Sequence, residues 1–552
     1  MKIRFCGATT NVTGSCHMLI TDRHKILLDC GQFQGGKEEE KKNWDPFPFD
    51  PKEIEAVVLS HAHIDHCGRL PLLVKRGFKG VIYCTDATAD LLSVMLLDSA
   101  FIHEKDAEMQ SKRNRREGKP DVEPLYTEKD ANETLKLVKP ILYDQLIAIN
   151  DQMNIVFNDA GHILGSAITE IWVNEGDKSS KIVFSGDLGV INRPILRDPK
   201  KIKKADYIIM ESTYGNRLHP ENSTSIDELI NITIDTVKRG GSVIIPSFAV
   251  GRTQELIFQF NMFYEHHPEL QDVLSKVDVY IDSPMATTAT EVFRDNASVF
   301  DEETKKYILE GDNPLDFKNL KFTRSTIDSQ MLNELTTPKV IISASGMCEA
   351  GRIRHHLKHN LWDPKNSIVF VGYQAEGTLG RLLVSGAKEV KLFGEKIVVG
   401  AEIHNLEGFS GHADQNGLLD WLSGFEIKPK KVFLVHGEED SKIDLAKEIQ
   451  NRFGFTVNPL FSNTEIEIET GEVISQDEVI KEAIKIEDID DLKEKVSDVS
   501  RDVQSILDNT NKAIDKNISA EKLLEINNII KELEKATINL GSTVTKEDRK
   551  EN

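Results

Sequence analysis

Three histidines and an aspartate crowd into six residues, His61-Ala62-His63-Ile64-Asp65-His66, directly after the apolar run 56–59. The run is short and β-branched, so it reads as a buried strand that ends at Ser60. His61 and His63 alternate, and in an extended segment just past a strand both imidazoles point to one side. Asp65 and His66 follow as the chain turns toward a helix. Imidazole and carboxylate suit zinc as ligands. The spacing offers two ligands to one ion and two to a neighbour, a dinuclear arrangement. The chain has only 16 histidines in 552 residues, so this clustering after a buried strand is not that of a solvated loop.

Other segments carry weaker signals. Strands over 3–7, 15–21 and 25–29 open the chain, and Asp29 ends the third in Leu28-Asp29-Cys30-Gly31. His162 sits on a glycine-bracketed turn in Ala160-Gly161-His162-Ile163-Leu164-Gly165. The apolar run 181–184 delivers Asp187 into the Gly-rich turn Ser185-Gly186-Asp187-Leu188-Gly189. Taken singly these are a turn aspartate, a loop histidine and an ordinary strand end. Taken in order with His61-x-His63-x-Asp65-His66, they resemble the first, third and fourth motifs of the metallo-β-lactamase superfamily around its second.

That resemblance implies an αββα sandwich, with residues 1–205 as its first part and 395–465 as its second. Between them, residues 206–394 alternate strands (242–245, 277–281, 340–342, 367–371) with helices such as 253–264, the rhythm of a parallel sheet with crossover helices. Glu211, His412 in Ser410-Gly411-His412-Ala413-Asp414 and His436 in Val435-His436-Gly437 resemble motifs A, B and C of the β-CASP branch. Histidine at the third of these is typical of members that act on RNA, whereas DNA-repair members carry valine. The expected fold is therefore α/β: a metallo-β-lactamase sandwich with an inserted parallel-sheet β-CASP domain and a helical C-terminal tail.

The resemblance also implies roles. His61, His63 and His162 would bind one zinc, Asp65, His66 and His436 a second, and Asp187 would bridge, giving two Zn²⁺ per chain. Asp29 would orient the metal loop by hydrogen bonding. His412 would be the general acid, with Glu211 holding its tautomer and raising its pKa; Asp187 and Asp65 complete the catalytic set. The substrate implied is single-stranded RNA, cleaved endonucleolytically with 5′-to-3′ exonucleolytic degradation as a further mode. A DNA-processing nuclease is disfavoured by His436. A small-molecule or thioester hydrolase is disfavoured because it calls for a short lid and not an inserted domain.

Three small-residue loops run from strand to helix in the insertion: Pro246-Ser247-Phe248-Ala249-Val250-Gly251-Arg252, Ser343-Ala344-Ser345-Gly346-Met347 and residues 372–381. This geometry presents backbone N–H groups to an anion. Ser247, Arg252, Ser345, Arg352 and Arg381 are the candidate phosphate contacts. The net charge of −22 opposes nucleic-acid binding only on a whole-chain view, because a focused basic cleft can work on an acidic protein. The basic runs 112–116, 200–204 and 428–431 read first as solvated surface.

The six cysteines are scattered without a Cys-x-x-Cys pair, and the start of the chain is already strand-like. Both features suggest reduced thiols and a cytoplasmic protein, with no membrane span. Residues 465–469 alternate isoleucine and glutamate as a further strand. Beyond Gly471 the chain holds 20 acidic and 13 basic side chains and no aromatic. Ile489, Leu492, Val496, Val499, Val503 and Ile506 step by three and four, and a second helical pattern covers 519–540. This is the pattern of a helical hairpin or short coiled coil, serving either a homodimer or packing against the body or another protein.

Overall fold

The computed structural model describes residues 1–476 apart from 220–221, 268–275, 373 and 376. The chain divides into two units, Met1–Asp477 and Glu478–Asn552. The expected helical tail falls in the second and lies outside the described residues.

Two sheets form the centre of the first unit. One orders its eight strands Val473–Gln476, Thr464–Glu467, Lys2–Phe5, His17–Ile20, Lys25–Leu28, Ala56–Val58, Val81–Thr85 and Val138–Ile141. The other has seven: Val457–Pro459, Lys431–Leu434, Tyr207–Met210, Lys178–Phe184, Ala167–Glu175, Met153–Asp159 and Ile147–Ala148. Successive side chains of a strand face opposite ways, and both faces here are apolar. Ile26, Leu28 and Val58 join Ile155, Phe157, Ile182 and Ile209 between the sheets. On the outer face of the first sheet, Leu27 and Val57 pack with Leu73 of the helix Leu70–Lys75 and Leu92 of Asp86–Arg116. On the outer face of the second, Val183 and Ile208 pack with Leu418 of Gln415–Leu422 and Leu445 of Glu439–Phe453. Each buried Val or Leu contributes about 1.5–3 kcal/mol, which is why these runs dictate a four-layer αββα stack.

A third sheet of six parallel strands belongs to the insertion. Its order is Leu320–Phe322, Asp278–Ile281, Lys339–Ser343, Val243–Pro246, Ser367–Phe370 and Glu402–Asn405. Both expected boundaries shift. Tyr207–Met210 pairs with Lys178–Phe184 and Lys431–Leu434 in the metallo-β-lactamase sandwich, so the insertion starts later than residue 206. Glu402–Asn405 pairs with Ser367–Phe370, so it ends later than 394.

The helix Asp86–Arg116 is 31 residues long. Ser111 faces inward and binds the backbone of Val122 in both directions. The basic run 112–116 therefore sits at a helix C-terminus, where cations are favoured. Lys112 pairs there with Glu108 and Arg115 with Asp121.

Candidate metal centre and active site

The candidate residues converge because strands lie side by side and end together. Lys25–Leu28 and Ala56–Val58 are parallel neighbours and deliver Asp29 and the loop 59–66. In the second sheet, Lys178–Phe184, Tyr207–Met210 and Lys431–Leu434 are also parallel neighbours. Just past their C-terminal ends stand Asp187, Glu211 and His436. Gly31 lets the Asp29 turn lie under the metal loop, since a Cβ there would fall 1.6 Å from the Asp65 carbonyl oxygen. Gly189 does the same for the Asp187 turn, where a Cβ would lie 1.8 Å from the Gly161 oxygen.

Each histidine of the cluster turns one nitrogen inward. His63 Nδ1 lies 3.1 Å from both His61 Nε2 and His162 Nε2, and Asp187 Oδ2 lies 3.5 Å from His61 and 3.6 Å from His162. In the second group, His66 Nε2 is 3.2 Å from His436 Nε2, and Asp65 Oδ2 is 3.5 Å from His436. Asp187 reaches this group as well, with Oδ2 3.2 Å from His66 and Oδ1 3.6 Å from His436.

The outward nitrogens are anchored. His66 Nδ1 meets Asp29 Oδ2 at 2.7 Å, His61 Nδ1 meets Ser60 Oγ at 3.0 Å, His162 Nδ1 meets the Gly411 oxygen at 3.0 Å and His436 Nδ1 meets Thr213 Oγ1 at 3.1 Å. Asp29 also accepts from Ser60 N, Ser60 Oγ and Ser15 Oγ, so it ties the whole loop together. Ser60 and Thr213 carry no signal of their own in the sequence beyond lying within two residues of His61 and Glu211.

This donor set fits zinc. Zinc–nitrogen bonds of about 2.0–2.1 Å in a tetrahedron give nitrogen–nitrogen edges of about 3.3 Å, close to the 3.1 Å separations here. Asp187 Oδ1 is buried without a hydrogen-bond partner. Burial pushes His63 down to about 4 and His61 and His162 well below the usual imidazole value, leaving neutral rings with lone pairs to offer. A further triplet, Asp187, Glu211 and His412, also has ligand atoms within 4.8 Å of one another.

His412 stands at the rim, with its Nδ1 3.2 Å from Glu211 Oε2 and 3.9 Å from Asp187 Oδ2. Burial opposes a charge on this ring, but the Glu211 and Asp187 carboxylates outweigh it and raise its pKa to about 9. Glu211 is itself fixed, its Oε1 accepting from Leu188 N at 2.5 Å.

The three small-residue loops of the insertion also come together, at the C-terminal ends of three neighbouring strands. Ser247 N donates to the Ser343 oxygen, and Gln374 Nε2 donates to the Gly346 oxygen. Arg381 is exposed and Ser345 half-buried beside them. Arg252 and Arg352 depart from expectation. Arg252 is buried against Glu255, and Arg352 donates to Asp282 Oδ1 and the Arg324 oxygen. The physical reason is that buried carboxylates need cationic partners, and these two arginines supply them. They brace the loops and are not open forks for phosphate.

The fold and this centre define a metal-dependent hydrolase of metallo-β-lactamase architecture with an inserted α/β domain. Family models match in the same order: "Metallo-beta-lactamase superfamily" over residues 9–247, "Beta-Casp domain" over 253–383 and "Zn-dependent metallo-hydrolase RNA specificity domain" over 396–459. The chain belongs to the β-CASP family of the metallo-β-lactamase superfamily. It is 38% identical over 447 residues to a Thermus thermophilus protein named Ribonuclease TTHA0252, covering 81% of this chain and 95% of that one. It is 32% identical over 462 residues to Transcription termination factor FttA of Methanocaldococcus jannaschii, covering 82% of this chain and 69% of the relative. The FttA of Pyrococcus horikoshii is also 32% identical, over 476 residues, 83% of this chain and 69% of the relative. Among the described residues, no helix is long and apolar enough to cross a membrane.

Proposed function

We propose that this chain is a zinc-dependent ribonuclease that hydrolyses phosphodiester bonds of single-stranded RNA. The observation that carries the reading is the His412–Glu211 pair at 3.2 Å, placed beside Asp187 at the rim of a cluster with ligands for two ions. His61, His63 and His162 would hold one zinc, Asp65, His66 and His436 the other, and Asp187 both. Zinc bound there supplies Lewis-acid polarisation of the phosphate and activation of the attacking water.

The chain's own groups handle the proton and the strand. Glu211 occupies His412 Nδ1, so Nε2 is left to carry the proton that the departing 3′-oxygen needs. The raised pKa of His412, about 9, keeps that proton in place at neutral pH. Ser345 and Arg381 would meet the RNA backbone from the insertion, whereas Ser247 is buried with its hydroxyl donating to the Phe248 oxygen and accepting from Thr253, and it supports the loops as Arg252 and Arg352 do. Support for RNA comes from the ribonuclease name of the relative aligned over 95% of its length and from the resemblance of His436 to the third β-CASP motif of members that act on RNA. Cleavage is endonucleolytic in this reading, with 5′-to-3′ degradation from exposed ends as a further mode. The six buried free thiols suit a cytoplasmic setting, and the tail serves self-association or protein contacts.

The test is cleavage of single-stranded RNA labelled at either end, beside matched DNA, with metal analysis of the same protein and a His412→Ala control. About two zincs per chain, cleavage of RNA alone and a large loss in the variant are expected, and the product ladder separates the two modes. A zinc-loaded protein that leaves RNA intact while hydrolysing a generic ester would refute the reading. Truncation after Asp477, which keeps the edge strand Val473–Gln476, with a mass measurement in solution tests the tail, and an unchanged oligomer would refute its role in self-association.

A further inference from the structure

A buried ion network joins the inserted domain to the metal centre. Arg193, on the loop after Asp187, donates from Nη1 to the His162 carbonyl oxygen at 3.1 Å and, more weakly, to the Gly411 oxygen at 3.5 Å. Its Nη2 donates to Glu255 Oε2 at 2.7 Å. Glu255 lies on the insertion's helix Arg252–His266 and is shared with Arg252. The Arg193 and Glu255 side chains are only 4% and 5% exposed. The Gly411 oxygen that Arg193 approaches is the same one that anchors His162 Nδ1, and it directly precedes His412. On its other side Arg193 borders a cleft of about 730 Å³ shared with Phe258, Met262 and Thr304.

We propose that Arg193, held by Glu255, is a positioning residue: it locks the backbone of a metal ligand to the loop of the acid His412 and makes that registration depend on the seating of the inserted domain. The inference rests on the ribonuclease reading above. One arginine contacts both carbonyls, so it reinforces the direct His162–Gly411 hydrogen bond with a link that continues to Glu255. An error of about 1 Å in such placement costs about 100-fold in rate.

The experiment compares Arg193→Met, Arg193→Lys and Glu255→Gln with the wild type in three measurements. These are kcat and KM on single-stranded RNA, turnover of bis(p-nitrophenyl) phosphate, and zinc content. The nitrophenolate leaves without a proton, so misplacing His412 spares it. For Arg193→Met the expected result is an RNA kcat lower by about 100-fold, with KM, nitrophenyl turnover and zinc content near wild type. Arg193→Lys, which keeps a charged donor, should recover part of the loss, and Glu255→Gln should show the same split. If Arg193→Met does not fold, the other two variants decide. Equal losses on both substrates, a matching loss of zinc, or an undiminished RNA kcat would overturn the proposal. A wild type inert toward RNA would refute the ribonuclease reading and this coupling together, whereas an active wild type with an unaffected variant would refute the coupling alone.

Discussion

The metal edge of the sandwich and the Asp282 cluster of the insertion are built alike and behave in opposite ways. Both bury carboxylates and histidines just past the ends of parallel strands. Asp282 is saturated: Thr323, Ser329, Arg352 and His356 all donate to it, at 2.5, 2.6, 2.7 and 2.5 Å. At the metal edge the inward nitrogens of His61, His63 and His162 face one another, and Asp187 Oδ1 has no hydrogen-bond partner. A buried polar group left unsatisfied costs free energy. Polar atoms that converge without partners therefore mark a place for something from outside the chain, and a saturated cluster marks a structural joint.

The widest test of that contrast is at the metal edge. His412→Ala should cut RNA cleavage by about 10²–10⁴-fold with zinc content unchanged, as read by single-turnover kinetics and metal analysis. At the structural joint the expected loss is of stability. Asp282→Ala strands Arg352 and His356 and should cost about 3–5 kcal/mol in urea unfolding, with zinc binding retained. A zinc loss in this variant would break the distinction between the two clusters.

Asp29 stands between the two types, since it saturates itself on Ser15, Ser60 and His66 while orienting a ligand. Asp29→Ala should weaken zinc affinity by about 10–100-fold, measurable by competition with a chelator. The smallest effect belongs to a surface site with neither role. His24 lies between Asp151 and Glu55 at 2.6 and 2.7 Å. Slight burial opposes its charge, but the two carboxylates prevail and raise its pKa. A raised pKa adds stability that is complete below the unfolded value of about 6.5 and is lost as pH rises through the folded value. His24→Gln should therefore lower the melting temperature at pH 5, by about 1–2 °C, and hardly at all at pH 8.

The candidate ligands were legible to differing degrees for physical reasons. His61, His63, Asp65 and His66 lie in one strand-to-helix turn, so local spacing exposes their chemistry. His162, Asp187 and His436 stand alone in sequence, and only their order, set against a family pattern, marks them. The partnership of Arg193 with Glu255 left no trace, because an ion pair between domains has no spacing of its own. Tyr207–Met210 and Glu402–Asn405 were read into the wrong domains for a related reason. A short strand does not declare which sheet it will join, and both lie at the seams of the insertion.

The strand Lys2–Phe5 is hydrogen-bonded on one side to His17–Ile20 and on the other to Thr464–Glu467. Lys2–Phe5 thus completes its pairing only when residues 464–467 have been made, and His436 too lies far along the chain from His61. A chain stopped anywhere before residue 436 lacks one member of the Asp65, His66 and His436 group, whatever else has folded. Such long-range closure slows folding. It also means that an interrupted translation product cannot bring Asp65, His66 and His436 together beside the message that encodes it.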